Sequence, residues 1–190
     1  MQLVPDDEGH ELRDGVIAVA AYVYDDPIAT AIKRVKTDAL RSGARGLAGL
    51  LAPHLPRAGT TTWVPAPAAR RRRRGLDLPE VLAGPAAARL LVATTDRPDQ
   101  GDLDAAARRR SAVGGYAVTG PVPPSVVLID DVRATGATLL AAATALRDAG
   151  AKRVLAVTLA ASPGPPSAAH GSGPVQAGQD QESSTWSARW

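Results

Sequence analysis

The sequence lacks cysteine and phenylalanine, and it contains only one methionine, three tryptophans and three tyrosines. Without cysteine there are no disulfides and no thiolate metal sites. The three histidines, His10, His54 and His170, lack the spacing of a zinc site. Any metal ion would therefore be bound by oxygen. The core has to be built from Ala, Val and Leu, which suits thin, closely packed layers of helices on a sheet.

Long apolar runs are also missing. No segment approaches the ~20 apolar residues of a membrane span, and the N-terminus has neither a basic flank nor an apolar run. We therefore expect no membrane association and a cytoplasmic location. The formal charge of +3 comes from arginine, since Lys33, Lys36 and Lys152 are the only lysines. Because Arg-rich, Ala-rich chains are typical of GC-rich coding, this charge is weak evidence for nucleic-acid binding.

A length of 190 residues suits one domain with tails, and its first half alternates between strand-like and helix-like segments. Short apolar or β-branched runs predict strands, and apolar residues at helical spacing predict helices. The predicted elements are a strand over 16–24, a helix containing Ile28, Ile32 and Val35, a helix over 44–51, a strand over 60–64, a helix over 78–91 broken by Gly84-Pro85, and a short strand over 90–94.

The second half predicts a βαβ unit. Asp96 to Gly115 is polar and has no apolar face, so we expect a long mobile loop. It is followed by a predicted strand over 126–129, a loop over 130–138, a helix over 139–149 and a strand over 154–161, with the two strands parallel. From residue 163 the chain is rich in Pro, Gly, Ser and Gln. This predicts an α/β domain over 1–162 and a disordered tail over 163–190.

The most informative segment runs from Val126 to Leu139. Four aliphatic residues lead to Asp130 and Asp131 at the carboxyl end of a predicted parallel strand, where ligands bind in open α/β sheets. Two adjacent carboxylates repel each other and need a cation or hydroxyl donors, and a ribose diol with Mg²⁺ supplies both. Gly136 permits a tight turn. The N–H groups and hydroxyls of residues 135–138 then open a helix whose positive end favours an anion.

A plainer interpretation is that the acidic pair caps the helix and Thr135 makes a turn. The segment is neither a Walker loop nor a G-x-G-x-x-G dinucleotide loop. It resembles the 5-phosphoribosyl 1-pyrophosphate (PRPP) signature of type I phosphoribosyltransferases. Further motifs resemble the ComF family within that class, over roughly residues 16 to 161. They are Tyr24 with Ile32-x-x-Val35-Lys36, Val64-Pro65-Ala66-Pro67 with Arg74-Gly75-Leu76-Asp77, and Arg97-Pro98-Asp99-Gln100 with Leu103, Arg108 and Tyr116.

The resemblance implies a Rossmann-like fold, with a mostly parallel central sheet flanked by helices and a mobile hood loop. It also implies the site. Ala134, Thr135, Gly136, Ala137 and Thr138 would bind a 5′-phosphate. The catalytic residues Asp130 and Asp131 would bind the ribose hydroxyls and Mg²⁺. Arg70, Arg74 and Arg97 would bind pyrophosphate. The ligand would be PRPP or a nucleotide, and a homodimer or DNA-handling protein partners are further expectations.

The sequence departs from the family pattern at several positions. It has no cysteine zinc ribbon, and Leu76-Asp77-Leu78 stands in place of Phe-Asn-Gln, so contacts made by those amides are in doubt. Ser111 replaces an expected Asn. Ala134 stands where purine-salvage relatives have an acidic residue that assists the purine. This departure argues against hypoxanthine or guanine as the acceptor, and the acceptor itself stays open.

Other functions compete with phosphoribosyl transfer. The resemblance to ComF suggests a non-catalytic sensor or DNA-uptake accessory protein. The run Arg70 to Arg74 is either a pyrophosphate site, a solvated surface or a nucleic-acid patch. A nucleic-acid-binding role is weakened by the lack of interleaved aromatic residues. Lys36 either reaches a phosphate or extends its stem along the protein surface.

Overall fold

The computed structural model describes residues 10–12, 16–94 and 115–162. Of the hood loop predicted over 96–115, residues 96–114, with Arg97, lie outside these ranges, as does the predicted tail over 163–190. The strands are β1 (His10–Leu12), β2 (Val16–Val23), β3 (Thr60–Trp63), β4 (Leu91–Ala93), β5 (Tyr116–Val118), β6 (Ser125–Arg133) and β7 (Arg153–Ala161). The helices are α1 (Ile28–Asp38), α2 (Arg41–Leu51), α3 (Ala68–Arg74), α4 (Leu78–Ala83) and α5 (Ala137–Asp148), with a 3₁₀ turn at Ala52–His54.

The central sheet has the strand order β1-β2-β7-β6-β3. Strand β1 pairs antiparallel to β2, whereas β2, β7, β6 and β3 are parallel to their neighbours. Strands β4 and β5 form a separate antiparallel pair. The predicted α/β fold class, with a mostly parallel sheet flanked by helices, is confirmed. The predicted βαβ unit is β6-α5-β7.

Both faces of the sheet are covered by apolar residues, as expected for parallel strands. Alternate residues of a strand point to opposite faces. Val127 and Ile129 of β6 therefore pack with α1, α2 and α4, while Val126 and Leu128 pack with α5. Removing such a side chain from water stabilises the fold by about 2 kcal/mol. The aliphatic residues thus form two thin core layers, one on each face of the sheet, and β6 contributes to both.

Several predicted boundaries were wrong. The prediction that the helix over 78–91 continues beyond its break to residue 91 was wrong. The predicted break at Gly84-Pro85 is confirmed, since α4 ends at Ala83, Gly84 adopts a positive φ of 82° and Pro85 has no N–H to donate. The loop predicted to begin at Asp130 begins at Ala134, because β6 continues to Arg133 beside β7. The short strands β1 and β5 were not predicted. No helix in the described ranges is long and apolar enough to cross a membrane.

The arginine run lies in an element that was not predicted. Arg70 to Arg74 belong to helix α3. Arginine and alanine are good helix formers. Pro67 just before the helix and Gly75 just after it, with a φ of 64°, are typical helix boundaries. These signals were present in the sequence, although no apolar stripe accompanied them.

Candidate functional site

Asp130 and Asp131 lie near the carboxyl end of β6, inside the strand. Because neighbouring residues of a strand alternate, their side chains leave opposite faces of the sheet. Asp131 lies on the same face as α1, and its Oδ2 forms an ion pair with Lys36 Nζ at 2.8 Å. The ammonium group of Lys36 is therefore held next to a site carboxylate.

Asp130 is the more buried of the two carboxylates, with 9% of its surface exposed. Its Oδ1 accepts a hydrogen bond from the Asp131 N–H at 2.8 Å. Burial, and then the negative charge of Asp131, raise the pKa of Asp130 well above its usual value. A cation or hydroxyl donors next to Asp130 would favour its ionised form.

The predicted phosphate-binding residues, 134–138, line a cleft of about 90 Å³. Gly136 has a φ of 77° and is the N-cap of α5, so the loop turns sharply into the helix. The Ala137 N–H faces the Thr135 hydroxyl at 3.4 Å, and Thr135 is exposed. Backbone N–H groups at the start of a twelve-residue helix are a favourable place for an anion.

A second cleft of about 190 Å³ lies next to it. Arg70 and Arg74, one turn apart on α3, both line it, and Lys36 and Asp131 lie on its wall. Arg72 and Arg73 are exposed and do not line the cleft. The structure thus brings two of the predicted pyrophosphate residues, Arg70 and Arg74, to the acidic pair. The third, Arg97, lies outside the described residues.

Two further cleft residues were not predicted as site residues. Asp77 is 4% exposed, and its Oδ2 accepts a hydrogen bond from the Ala66 N–H at 3.1 Å. Burial raises the pKa of Asp77 to about 6. Tyr116 is half-buried, and burial followed by the charge of Asp130 raises the pKa of its phenol. Two features of the sequence pointed to these residues. Asp77 stands where the family motif has Asn, and Tyr116 belongs to the motif that starts at Arg97.

The two clefts adjoin each other, because Asp130, Val132 and Thr138 line both. One end offers backbone N–H groups, the middle offers carboxylates, and the other end offers guanidinium groups. This order of charges suits an elongated ligand with an anionic group at each end and hydroxyl groups between them.

The acidic pair also suits a magnesium ion. Mg²⁺ prefers oxygen ligands and is commonly held by one or two carboxylates together with substrate phosphates. Within residues 10–12, 16–94 and 115–162, no group of three or more His, Cys, Asp or Glu side chains is arranged to hold a metal. Asp130 and Asp131 would therefore share such an ion with oxygen atoms of the bound ligand.

Comparison with known proteins supports the phosphoribosyltransferase class. Residues 123–174 match the family model of the phosphoribosyl transferase domain. The match covers a little more than a quarter of the chain, including β6, the loop over 134–136, α5 and β7. No curated protein matches the chain significantly. Together with the α/β fold, the family match supports a phosphoribosyltransferase domain of type I, and thus an enzyme of the glycosyltransferase kind.

Proposed function

We propose that this chain binds PRPP, or a nucleoside 5′-monophosphate, together with Mg²⁺, and transfers the phosphoribosyl group to or from a nitrogenous base. The observation that carries the proposal is that the two clefts adjoin each other at Asp130. PRPP has a phosphate at one end, a ribose in the middle and a diphosphate at the other end. These groups match the helix terminus, the carboxylates and the arginines in the same order.

Each predicted site residue keeps its role in this proposal. Backbone N–H groups and hydroxyls of residues 134–138 bind the 5′-phosphate. Asp130 and Asp131 accept hydrogen bonds from the ribose hydroxyls and bind the metal. Arg70 and Arg74, with Arg97 from outside the described residues, pair with the diphosphate, for which a planar guanidinium fork is well suited.

The reaction needs no protein nucleophile. The bond between the anomeric carbon and a pyrophosphate oxygen breaks, the bonding electrons leave with pyrophosphate, and positive charge develops on the ribose. The carboxylates of Asp130 and Asp131 stabilise that positive charge, while Arg70 and Arg74 stabilise the departing anion. A nitrogen of the base forms the new bond to the anomeric carbon, and the proton of that nitrogen passes to the departing pyrophosphate or to water. When bound, Mg²⁺ neutralises charge on the diphosphate.

Tyr116 is a candidate contact for the base, because its ring lies on the wall of the cleft near Asp130. Aromatic rings bind planar bases by stacking. Ala134 supplies no carboxylate for a purine, so the proposal excludes acceptors that depend on one.

Within the class, we propose a ComF-like branch on the motifs that extend over residues 16–161. The family match supports phosphoribosyl transfer in general and gives no support to the non-catalytic alternative. No described contact favours a second function, so transfer is the function we propose.

Calorimetric titration with PRPP, with Mg²⁺ or with a chelator, tests binding. We expect binding that depends on Mg²⁺ and is lost in Asp131→Asn. The exposed carboxylate Asp148 provides a matched control, and Asp148→Asn should bind as the parent chain does. Equal affinity with the chelator would exclude the metal-bridged site, and no binding in either condition would exclude the proposed function. A screen of nitrogenous acceptors for pyrophosphate release then identifies the base.

A further inference from the structure

Helix α3 presents Arg70 and Arg74 to the cleft, yet it buries no residue against the rest of the protein. It is seven residues long and contains no buried residue. Isolated helices shorter than about 12 residues are marginal in water, and most helices are stabilised by a packed apolar face. Because α3 lacks such a face, the contacts at its two ends are important for its position.

Helix α3 ends at a glycine C-cap. Gly75 adopts the left-handed conformation, and its N–H donates to the Arg71 carbonyl at 2.9 Å. The chain then turns back toward α4, which is anchored by buried Leu78 and Leu82. Three residues, 75–77, therefore separate the last residue of α3 from Leu78, a fixed point of the structure.

The start of α3 follows the corner Pro65-Ala66-Pro67. Proline has no N–H, so Ala66 carries the one backbone donor of these three residues. That donor is bound to Asp77 Oδ2 at 3.1 Å. The hydrogen bond from the Ala66 N–H to Asp77 thus joins the two ends of the segment 66–77, and α3 lies between them.

Asp77 does not behave as a typical N-cap residue. It is the N-cap residue of α4, where an aspartate side chain normally accepts from its own helix, but it makes no such bond. Its carboxylate is directed to Ala66 instead. It remains buried although Oδ1 has no hydrogen-bond partner among the described residues. Burying a carboxylate in this way is costly, and local packing of α4 does not require it.

We propose that Asp77 is a positioning residue that holds α3, and with it Arg70 and Arg74, on the wall of the cleft. Asp77 acts through the arginines and need not touch the ligand. The inference rests on the proposed function, since the anion that the arginines bind is pyrophosphate.

The test compares Asp77→Ala with Asp77→Asn. The alanine variant removes the acceptor for the Ala66 N–H, whereas asparagine keeps an oxygen in the same place. Glu80→Ala is the matched control, because Glu80 is an exposed carboxylate in the first turn of the same helix. We expect Asp77→Ala to weaken binding of inorganic pyrophosphate by about tenfold, and the other two variants to stay within about threefold of the parent chain.

A double-mutant cycle separates positioning from a general structural role. If Asp77 acts through the arginines, adding Asp77→Ala to Arg70→Ala/Arg74→Ala should weaken pyrophosphate binding by less than about twofold further. Ribose 5-phosphate, the probe for the other end of the site, should bind Asp77→Ala with unchanged affinity. Additive losses in the cycle, or equal losses for both probes, would overturn the proposal.

Hydrogen exchange provides a readout that needs no ligand. The Ala66 amide and the amides of α3 should exchange faster in Asp77→Ala and at the parent rate in Asp77→Asn. Unchanged exchange in Asp77→Ala would also overturn the proposal. If the parent chain binds neither ribose 5-phosphate nor pyrophosphate, the proposed function fails, and the exchange rates still decide whether Asp77 orders α3.

Discussion

The two ends of the cleft are built differently. At the 134–138 end, the donors are backbone N–H groups, and the loop joins strand β6 to helix α5, whose buried residues pack with Val126 and Leu128 of β6. At the α3 end, the donors are long side chains on a helix without a buried residue. One end is fixed by the core itself, whereas the other depends on the contact between Asp77 and Ala66.

This difference predicts different responses to mutation. Preorganised backbone donors cost little to order when a ligand binds, whereas flexible arginine side chains lose rotamer freedom. Changes at the backbone end should therefore act through sterics and strain. Changes at the arginine end should act through charge and position.

The largest effect is expected from Gly136→Val. A side chain at a φ of 77° is strained, and a Cβ there would lie 2.6 Å from Leu12 Cδ2. We expect a loss of about 1–3 kcal/mol in the free energy of unfolding. Ribose 5-phosphate affinity should fall by at least about a hundredfold, or about 2.7 kcal/mol, because the loop can no longer take its shape.

Gly46→Val is the control for Gly136→Val. Gly46 lies in α2, where a Cβ would meet nothing within 4 Å. Chemical unfolding and calorimetry on both variants check the comparison. Equal ribose 5-phosphate affinity in the two variants would show that the phosphate binds elsewhere.

The next largest effect is expected in the free energy of unfolding, which should depend on pH through the Asp77 carboxyl. Its pKa rises from 3.8 to about 6 on folding, so the folded state binds the proton more tightly than the unfolded state. The resulting stability is present below pH 3.8 and is lost as the pH rises through 6. At about 1.4 kcal/mol per pKa unit, the parent should lose about 2 kcal/mol relative to Asp77→Asn between pH 4 and 7, because the unfolded-state carboxyl is already partly ionised at pH 4. Urea unfolding at both pH values measures the difference, and a constant difference would contradict it.

Sequence reasoning recovered the backbone end far better than the arginine end. Residues 126–139 form one contiguous strand, loop and helix, so local patterns were sufficient to place Asp130 and Gly136. The arginine end is assembled from α1, the corner at Ala66, α3 and β5. Its key contacts are those of Lys36 with Asp131 and of Asp77 with Ala66. Each contact joins residues that are separated in sequence, so it follows from tertiary packing and not from a local pattern.

A smaller effect is expected at the ion pair between Lys36 and Asp131. Both side chains are partly exposed, so their coupling free energy should be about 1–2 kcal/mol, between the values typical of surface and of buried ion pairs. Lys36→Met, Asp131→Asn and the double variant form the cycle, with unfolding free energy as the readout. Additive losses would mean that the 2.8 Å contact contributes nothing to stability.

The smallest effect is expected from Arg72→Ala. Arg72 is exposed and lies off the cleft, so pyrophosphate affinity should change by less than about twofold. Arg70→Ala, on the cleft wall, should weaken it by about fivefold or more. If the exposed arginines bind nucleic acid, Arg72→Ala should instead lower salt-dependent DNA retention. A larger pyrophosphate loss in Arg72→Ala than in Arg70→Ala would place the anion on the outer face of α3.

The most direct test of a two-ended site is a crossed titration of its two half-ligands. Ribose 5-phosphate and pyrophosphate would each be titrated by calorimetry into Gly136→Val and into Arg70→Ala/Arg74→Ala. The account predicts that Gly136→Val loses ribose 5-phosphate and keeps pyrophosphate, and that the double arginine variant does the reverse. If both half-ligands were lost together in each variant, or if each kept the half-ligand predicted to be lost, the two ends would not be the separate phosphate and pyrophosphate sites described above.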